Sequence, residues 1–514
     1  MQFKEVRTKK IIIIGAGISG LTAGIYGLQS GFDVTVIEKN PVVGGLCTGW
    51  YRKGHYLDGC IHWLTGTKEN TILNQMWKDV GAFSNQEDII YLPSWGTYEY
   101  GGQKVTMWTD LDRAEKEWIE LSPIDKREIK KFFRMVRDFM TIELPLDVPI
   151  LWLSFKRLIK LGYQVLSIWP SYLKTMSMSK KRYANRFKSP AIRFALTTCQ
   201  QGVGNVFSMI YSYATVAMGD GGIPKGGSLA MVNRMKERFL SLGGDLKLNK
   251  PVKYVLIDKN VAKGVLFEDG TRMFGDYVVS CVDVNYAVHN LLNNAYKVKG
   301  LEKRYKKPNI YQGPSCVYVS LLVEDELKDL PTPFSFICDP YKIGNKEFSH
   351  LTIRSYAYDP ETYIKDGKCY MSIILDQATD DYSYWEELYK NKDLYNKEKA
   401  KYGEFVIEQI TNKFPSLKNK IQVVDVATPV TYNRYTNSSR GEYMSYLLRP
   451  DRPGFNHNGK TGIRNFYLSG QWMQSPGGLP IAMAQGRFAI QRICRSNNLS
   501  YIFTPKRLTQ MKKI

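Results

Sequence analysis

The chain has 514 residues, with 71 Lys and Arg against 49 Asp and Glu, a formal net charge of +22. That length buries a large core and predicts two interlocked domains. Eight cysteines are scattered without a CxxC pair and five histidines show no ligand spacing, which excludes a disulfide framework and a metal site and points to a reducing compartment.

The run Ile11 to Ile14 reads as a buried strand and opens directly into Gly15-Ala16-Gly17-Ile18-Ser19-Gly20. Gly15 permits a tight turn, and Gly17 lets backbone N–H groups approach a pyrophosphate. Gly20, with Gly24 one turn on, lets the following helix sit close to the strand. A second strand, Val34 to Ile37, ends in Glu38, whose carboxylate can accept both ribose hydroxyls, and Lys39 follows. Strand, glycines, helix, strand and terminal acid within one short unit predict a dinucleotide site. The same stretch superficially suggests a signal peptide, because residues 11–28 are uncharged after Lys4, Arg7, Lys9 and Lys10. Its glycines each cost roughly 1 kcal/mol against alanine in a helix. No small-residue cleavage site follows, so the expectation is a retained N-terminus and a cytoplasmic protein.

After Glu38 a second turn, Gly44-Gly45, offers another pair of N–H groups to a diphosphate. This two-loop start resembles the FAD-binding region of the flavoprotein superfamily that includes amine oxidases and phytoene desaturases. Relatives often carry Arg after the paired glycines, where this chain has Leu46. Phosphate charge then falls to backbone donors or to a base such as Arg52 or Lys53. The words around Asp58, Gly59 and His62 look like the retinol saturase and carotenoid isomerase branch, which places His62 near the flavin. The alternative is a structural histidine satisfying a buried backbone group.

Residues 76–219 and about 300–425 carry no such fingerprint but are rich in aromatics, among them Trp77, Trp95, Trp118, Phe207, Tyr211 and Tyr213. Aromatics at these positions are more often core than pocket, yet their density favours an apolar cavity. Between Val148 and Gly219 there is no acid, while ten Lys and Arg occur. Leu151, Phe155, Leu158, Ile159, Leu166, Trp169, Leu173 and Met176 recur there at helical spacing, with Lys156, Lys160, Gln164, Ser167 and Lys174 on another face. Pro170 kinks or divides the helix. Segment 148–193 suits an anionic membrane surface or a lid over the substrate cavity. No nucleic-acid motif accompanies the charge.

Residues 221–252 match the family's Pro-x-Gly-Gly segment, helix and strand. Gly226, Gly227 and Ser228 would cap that helix, and the chain at Val252 would pass the adenine. An Asp269-Gly270 turn predicts a hairpin. The strand Phe466 to Leu468 leads to Gly470, Gln471 and then Gly478-Leu479-Pro480, opening a helix whose N-terminus suits the flavin's pyrimidine edge. Gln471 stands where relatives place Asp or Glu against the ribityl chain. Upstream, Thr428, Pro429, Arg434, Tyr435, Thr436 and Gly441 resemble a further family segment.

The resemblance implies an α/β fold: a Rossmann-like FAD-binding domain from residues 1–75, 220–300 and 455–500, with a discontinuous α+β substrate domain from 76–219 and 301–454. It implies an FAD-dependent oxidoreductase that desaturates, saturates or isomerises a carbon–carbon bond of a polyene, isoprenoid or other long-chain lipid. An external electron donor or acceptor is implied without being identified. Peripheral contact with the inner face of the membrane would deliver the lipid. His62, Tyr435 and Glu442 are the candidates for proton handling. Two alternatives remain open: a flavin amine oxidase, and a non-catalytic prenyl-lipid carrier of the GDP-dissociation-inhibitor type.

Overall fold

The computed structural model describes residues 8–501 apart from 177, 203, 299, 302–306, 308–310, 312, 345, 378–380 and 449–453. The expectations made for Lys4, Arg7 and the side chain of Lys174 lie outside the described residues.

The strand Lys10–Ile14 is the centre of a five-stranded sheet. Its neighbours are Asp33–Ile37 on one side and Tyr277–Ser280 on the other, with Asp245–Lys247 and Phe466–Leu468 at the edges, all parallel. Ile11 to Ile14 are buried, as a strand covered on both faces requires. The helix Ile18–Gln29 follows after the Gly15 turn, and the helix Leu479–Ser496 packs against it. The first helix can lie this close because Gly20 has no side chain: a Cβ there would sit 1.8 Å from the Gly15 carbonyl oxygen.

Beside this sheet runs an antiparallel meander, Val252–Asp258, Val261–Phe267 and Arg272–Phe274. The Asp269-Gly270 turn joins its last two strands. Lys259 and Asn260, both at positive φ, make the tighter first turn.

The second large sheet is mixed. It runs in the order Ile421–Ala427, Ser315–Val323, Lys368–Gln377, Lys346–Ser355, Phe334–Ile343, Ser94–Tyr100 and Gln103–Trp108. Among the described residues the parallel pairing along that order joins Phe334–Phe336 to Thr97–Glu99, so two separate insertions between the central parallel strands share one sheet. Helices Leu111–Leu121, Lys126–Phe139, Pro190–Thr198 and Val206–Ala217 bury an aromatic core in which Trp118 stacks on Phe132 and Trp95 on Tyr213.

One segment breaks the pattern of apolar faces turned inward. Phe155–Ser167 and Trp169–Met176 are separate helices, divided just before Pro170. Leu151 is 90% exposed, Phe155 77% and Leu166 69%, and Phe155–Ser167 has no buried residue. Among the described residues no helix is long and apolar enough to cross a membrane.

Candidate active site

One cavity of about 750 Å³ is lined by the glycine turns at one end and by the aromatic helices at the other. At the glycine end the backbone does most of the work. Gly15 donates its N–H to the Ile37 carbonyl at 2.7 Å, and Gly44 to that of Ala16 at 2.9 Å, so the two turns are tied together. Gly44 and Gly45 hold φ of +116° and +61°, a region in which side chains are strained. Ser19 Oγ and Ser469 Oγ lie 2.8 Å apart, linking the first helix to the end of the last parallel strand.

Glu38 terminates the second strand as expected and is buried. Its carboxylate accepts from the Ala16 N–H at 2.9 Å and from the Asn40 N–H and Nδ2 at 3.0 and 2.8 Å. Lys39 Nζ donates to the Arg434 carbonyl at 2.9 Å and to Asn437 Oδ1 at 2.6 Å, and burial pulls this ammonium below the ordinary lysine value against the opposing pull of Glu38. Lys250 and Val252 complete the wall. The bases expected to meet phosphate charge are elsewhere. Arg52 Nη2 pairs with Asp425 at 3.3 Å, and neither Arg52 nor Lys53 lines the cavity. Lys39 and Lys250 do: Lys39 follows Glu38 at the end of the second strand, whereas Lys250 lies in the connection between Asp245–Lys247 and Val252–Asp258, which the sequence pattern does not single out.

Gly470, Gln471, Gly478, Leu479 and Pro480 line the same cavity. Gln471 does not present a free amide: its Oε1 accepts from the Gly478 N–H at 2.9 Å and its Nε2 donates to the Tyr443 carbonyl at 3.0 Å. It thereby caps the start of the Leu479–Ser496 helix.

Of the sequence-selected candidates for proton handling, the structure separates all three. Tyr435 is 51% exposed and stands beside Glu38, with its carbonyl accepting from Asn40 Nδ2 at 2.9 Å. Glu442 lies outside the cavity, where its carboxylate accepts from the buried Gly313 N–H at 3.1 Å. His62 alone belongs to the aromatic end. Its Nε2 is buried without a hydrogen-bond partner among the described residues. Burial, and secondarily the Arg354 cation, hold its imidazole well below the ordinary value, so it is neutral at physiological pH. The alternative of a histidine satisfying a buried backbone group therefore fails at that nitrogen.

The aromatic end is walled by Leu73, Leu144, Leu146, Tyr172, Met176, Phe207 and Ile374. Trp77, Trp118 and Tyr213 are core, whereas Phe207 and Tyr211 face the cavity. Asp58, which sequence associated with His62, is fully buried and structural. Its carboxylate accepts from the Ser228 N–H at 2.6 Å and Oγ at 2.7 Å, capping the helix Gly227–Ser241, and from the hydroxyls of Tyr56 and Tyr363 at 3.2 and 3.1 Å.

The family described as flavin containing amine oxidoreductase matches residues 18–494. The chain belongs to that family. A phytoene desaturase (lycopene-forming) from Paracoccus sp. is 24% identical, covering 94% of this chain and 97% of its own length. A 4,4'-diapophytoene desaturase (4,4'-diapolycopene-forming) from Methylomonas sp. is 22% identical over 96% of this chain and 97% of its own. In fold, an oxidoreductase from Methanosarcina mazei superposes with a TM-score of 0.61 at 16% identity, covering 95% of this chain and 100% of its own. This family member is a flavin-dependent oxidoreductase of phytoene desaturase-like type, and its cofactor is FAD. The cavity fits that cofactor: two fused glycine turns, an acid at the strand end, and a polar atom, Ser438 Oγ, left without a protein partner among the described residues on the same wall.

Proposed function

We propose that this protein desaturates a carbon–carbon bond of a long, apolar polyene or isoprenoid. The observation that carries the reading is the single cavity that joins a dinucleotide cradle to a chamber walled by Leu, Met, Phe and Tyr side chains. The desaturase names of the relatives support the substrate class and the direction.

Gly15, Gly17, Ser19, Gly44 and Gly45 would hold the FAD diphosphate through backbone donors, with Gly20 keeping the helix close. Glu38 would take the ribose hydroxyls, Lys39 would supply nearby positive charge, and Val252 would pass the adenine. Gly470, Gly478, Leu479 and Pro480 would place a helix N-terminus at the flavin, with Gln471 fixing that turn through its bond to Gly478. Bound FAD supplies a two-electron acceptor for hydride. His62 Nε2, neutral and unpartnered, would take the accompanying proton from the adjacent carbon. The apolar walls orient the chain and exclude water from the reacting carbon. In this reading residues 1–75, 220–300 and 455–500 form the FAD domain, and 76–219 with 301–454 form the substrate domain.

Segment 148–193 would rest on an anionic membrane. Leu151, Phe155, Leu158, Ile159 and Leu166 are exposed beside Lys156 and Lys160, while Tyr172 and Met176 of the second helix line the cavity. A lipid could pass from the bilayer along this segment into the chamber.

The test is product analysis. FAD-loaded protein is incubated aerobically with phytoene in vesicles containing an anionic phospholipid. Products lighter by pairs of hydrogens are expected. Unchanged phytoene together with turnover of primary amines would overturn the assignment.

A further inference from the structure

Behind the His62 end of the chamber lies a second, much smaller void of about 40 Å³. His62, Trp63 and Gln200 line both spaces, so these three side chains form the wall between them. The small void carries a larger share of polar side chains than the chamber, though Trp95, Val216 and Ile223 also line it. Ser94, Thr198, Ser335, Thr352 and Arg354 contribute to it.

Arg354 is the unusual member. It belongs to the strand Lys346–Ser355 and is only 7% exposed. Its neighbour Ile353 enters the core of the mixed sheet, whereas Thr352 and Arg354 project from the other face into the void. Among the described residues no carboxylate pairs with its guanidinium, and no side-chain hydrogen bond satisfies it. A buried cation without a counter-charge is costly, and proteins seldom tolerate one unless something else supplies the anion.

Two further groups on the dividing wall hold unsatisfied atoms, and the amide of Gln200 turns toward the chamber side. His62 Nε2 and Gln200 Oε1 are both buried without partners among the described residues. Gln200 is held in the left-handed region, at φ +55°, while its Nε2 donates to the Ser208 carbonyl at 3.2 Å and to Ser212 Oγ at 2.6 Å. Strained backbone and unspent polar atoms at one spot are the mark of a site organised around a ligand.

We infer that this void is an end-group pocket that binds a carboxylate at the terminus of an apolar chain lying in the chamber. The inference rests on the proposed use of the chamber for a polyene. Arg354 offers the planar fork that matches a carboxylate in bidentate fashion. The volume suits such a group, since one water occupies roughly 30 Å³ of liquid. A rotamer change of His62 or Trp63 joins the two spaces, a movement of the size commonly seen on binding. A hydrocarbon terminus would leave the guanidinium uncompensated, so the pocket discriminates by charge.

The probes are retinoic acid, its methyl ester and the hydrocarbon phytoene, each titrated into FAD-loaded protein while perturbation of the flavin spectrum is followed. The acid is expected to bind the native protein at least about 30-fold more tightly than the ester, and Arg354→Met to abolish that preference while leaving ester binding unchanged. Arg354→Lys, which keeps the charge but loses the planar fork, is expected to weaken acid binding about fivefold and serves if Arg354→Met does not fold. Equal affinity for acid and ester in the native protein would overturn the pocket assignment while leaving the desaturase reading intact. If none of the three probes perturbs the flavin, the chamber does not take polyenes and both readings fall. Preference for the acid that persists in folded Arg354→Met would also overturn the inference.

Discussion

The glycine end and the aromatic end of the cavity are built on opposite principles. The first is backbone: strand ends, turns at positive φ and helix N-termini, drawn largely from residues 14–45 and 470–482. The second is side chains from segments far apart in sequence, including Leu73, Leu144, Tyr172, Phe207 and Ile374. A backbone cradle fixes what is bound, since peptide N–H groups offer one chemistry wherever the chain bends that way. A side-chain chamber fixes which molecule is accepted, because its walls change one residue at a time without disturbing the fold.

The sharpest way to break this contrast is at Gly20. Gly20→Val places atoms against the Gly15 carbonyl and should reduce FAD affinity by about 100-fold or more, corresponding to roughly 3 kcal/mol at the upper end of overpacking costs. Flavin release measured by fluorescence reads it, and retention of FAD at native affinity would contradict the backbone account. Asp58 sits at the joint, since its carbonyl oxygen accepts from Tyr318 and Tyr370 of the mixed sheet while its carboxylate caps Gly227–Ser241. Asp58→Asn removes charge-assisted bonds and should cost about 2–3 kcal/mol of stability in denaturant unfolding.

The exposed apolar segment proposed to meet a membrane should behave in the opposite manner. Phe155 and Leu166 are exposed, so replacing both by Glu should leave thermal stability within about 0.5 kcal/mol. Vesicle binding in sedimentation should fall about tenfold or more, as expected for losing two apolar anchors. A drop in stability with unchanged vesicle binding would assign these residues to internal packing.

The smallest effect is a pH slope. His62 has its folded-state pKa depressed, so the neutral form is favoured on folding and its stabilising contribution is fully present above the unfolded value of about 6.5. Below that pH the unfolded chain takes a proton that the folded one refuses, and stability falls by up to about 1.4 kcal/mol per pH unit. The difference in unfolding free energy between the native protein and His62→Gln should therefore shrink as pH drops from 6.5 toward 5. A difference independent of pH would show that His62 titrates normally.

The contrast also explains what the sequence made legible. Gly15, Gly17, Gly20 and Glu38 announce themselves because the geometry they serve is local, and so do the Asp269-Gly270 turn and the break before Pro170. Arg354 does not, because a cation within a strand such as Lys346–Ser355 normally faces solvent, and only the fold shows it buried against a void. Arg52 is near the paired glycines in sequence, but a hairpin with His55–Asp58 carries it to Asp425 instead. Glu442 stands in a family-like segment, while its partner, Gly313, lies more than a hundred residues earlier. The aromatic residues divided between core and chamber according to helix face, which composition does not reveal.

Anaerobic mixing of FAD-loaded protein with vesicle-embedded phytoene tests most directly whether one cavity unites cradle and chamber. Bleaching of the visible flavin band, with one two-hydrogen loss from the polyene per flavin reduced, is the predicted result. A flavin that stays oxidised with the polyene but bleaches with a primary amine would contradict the account.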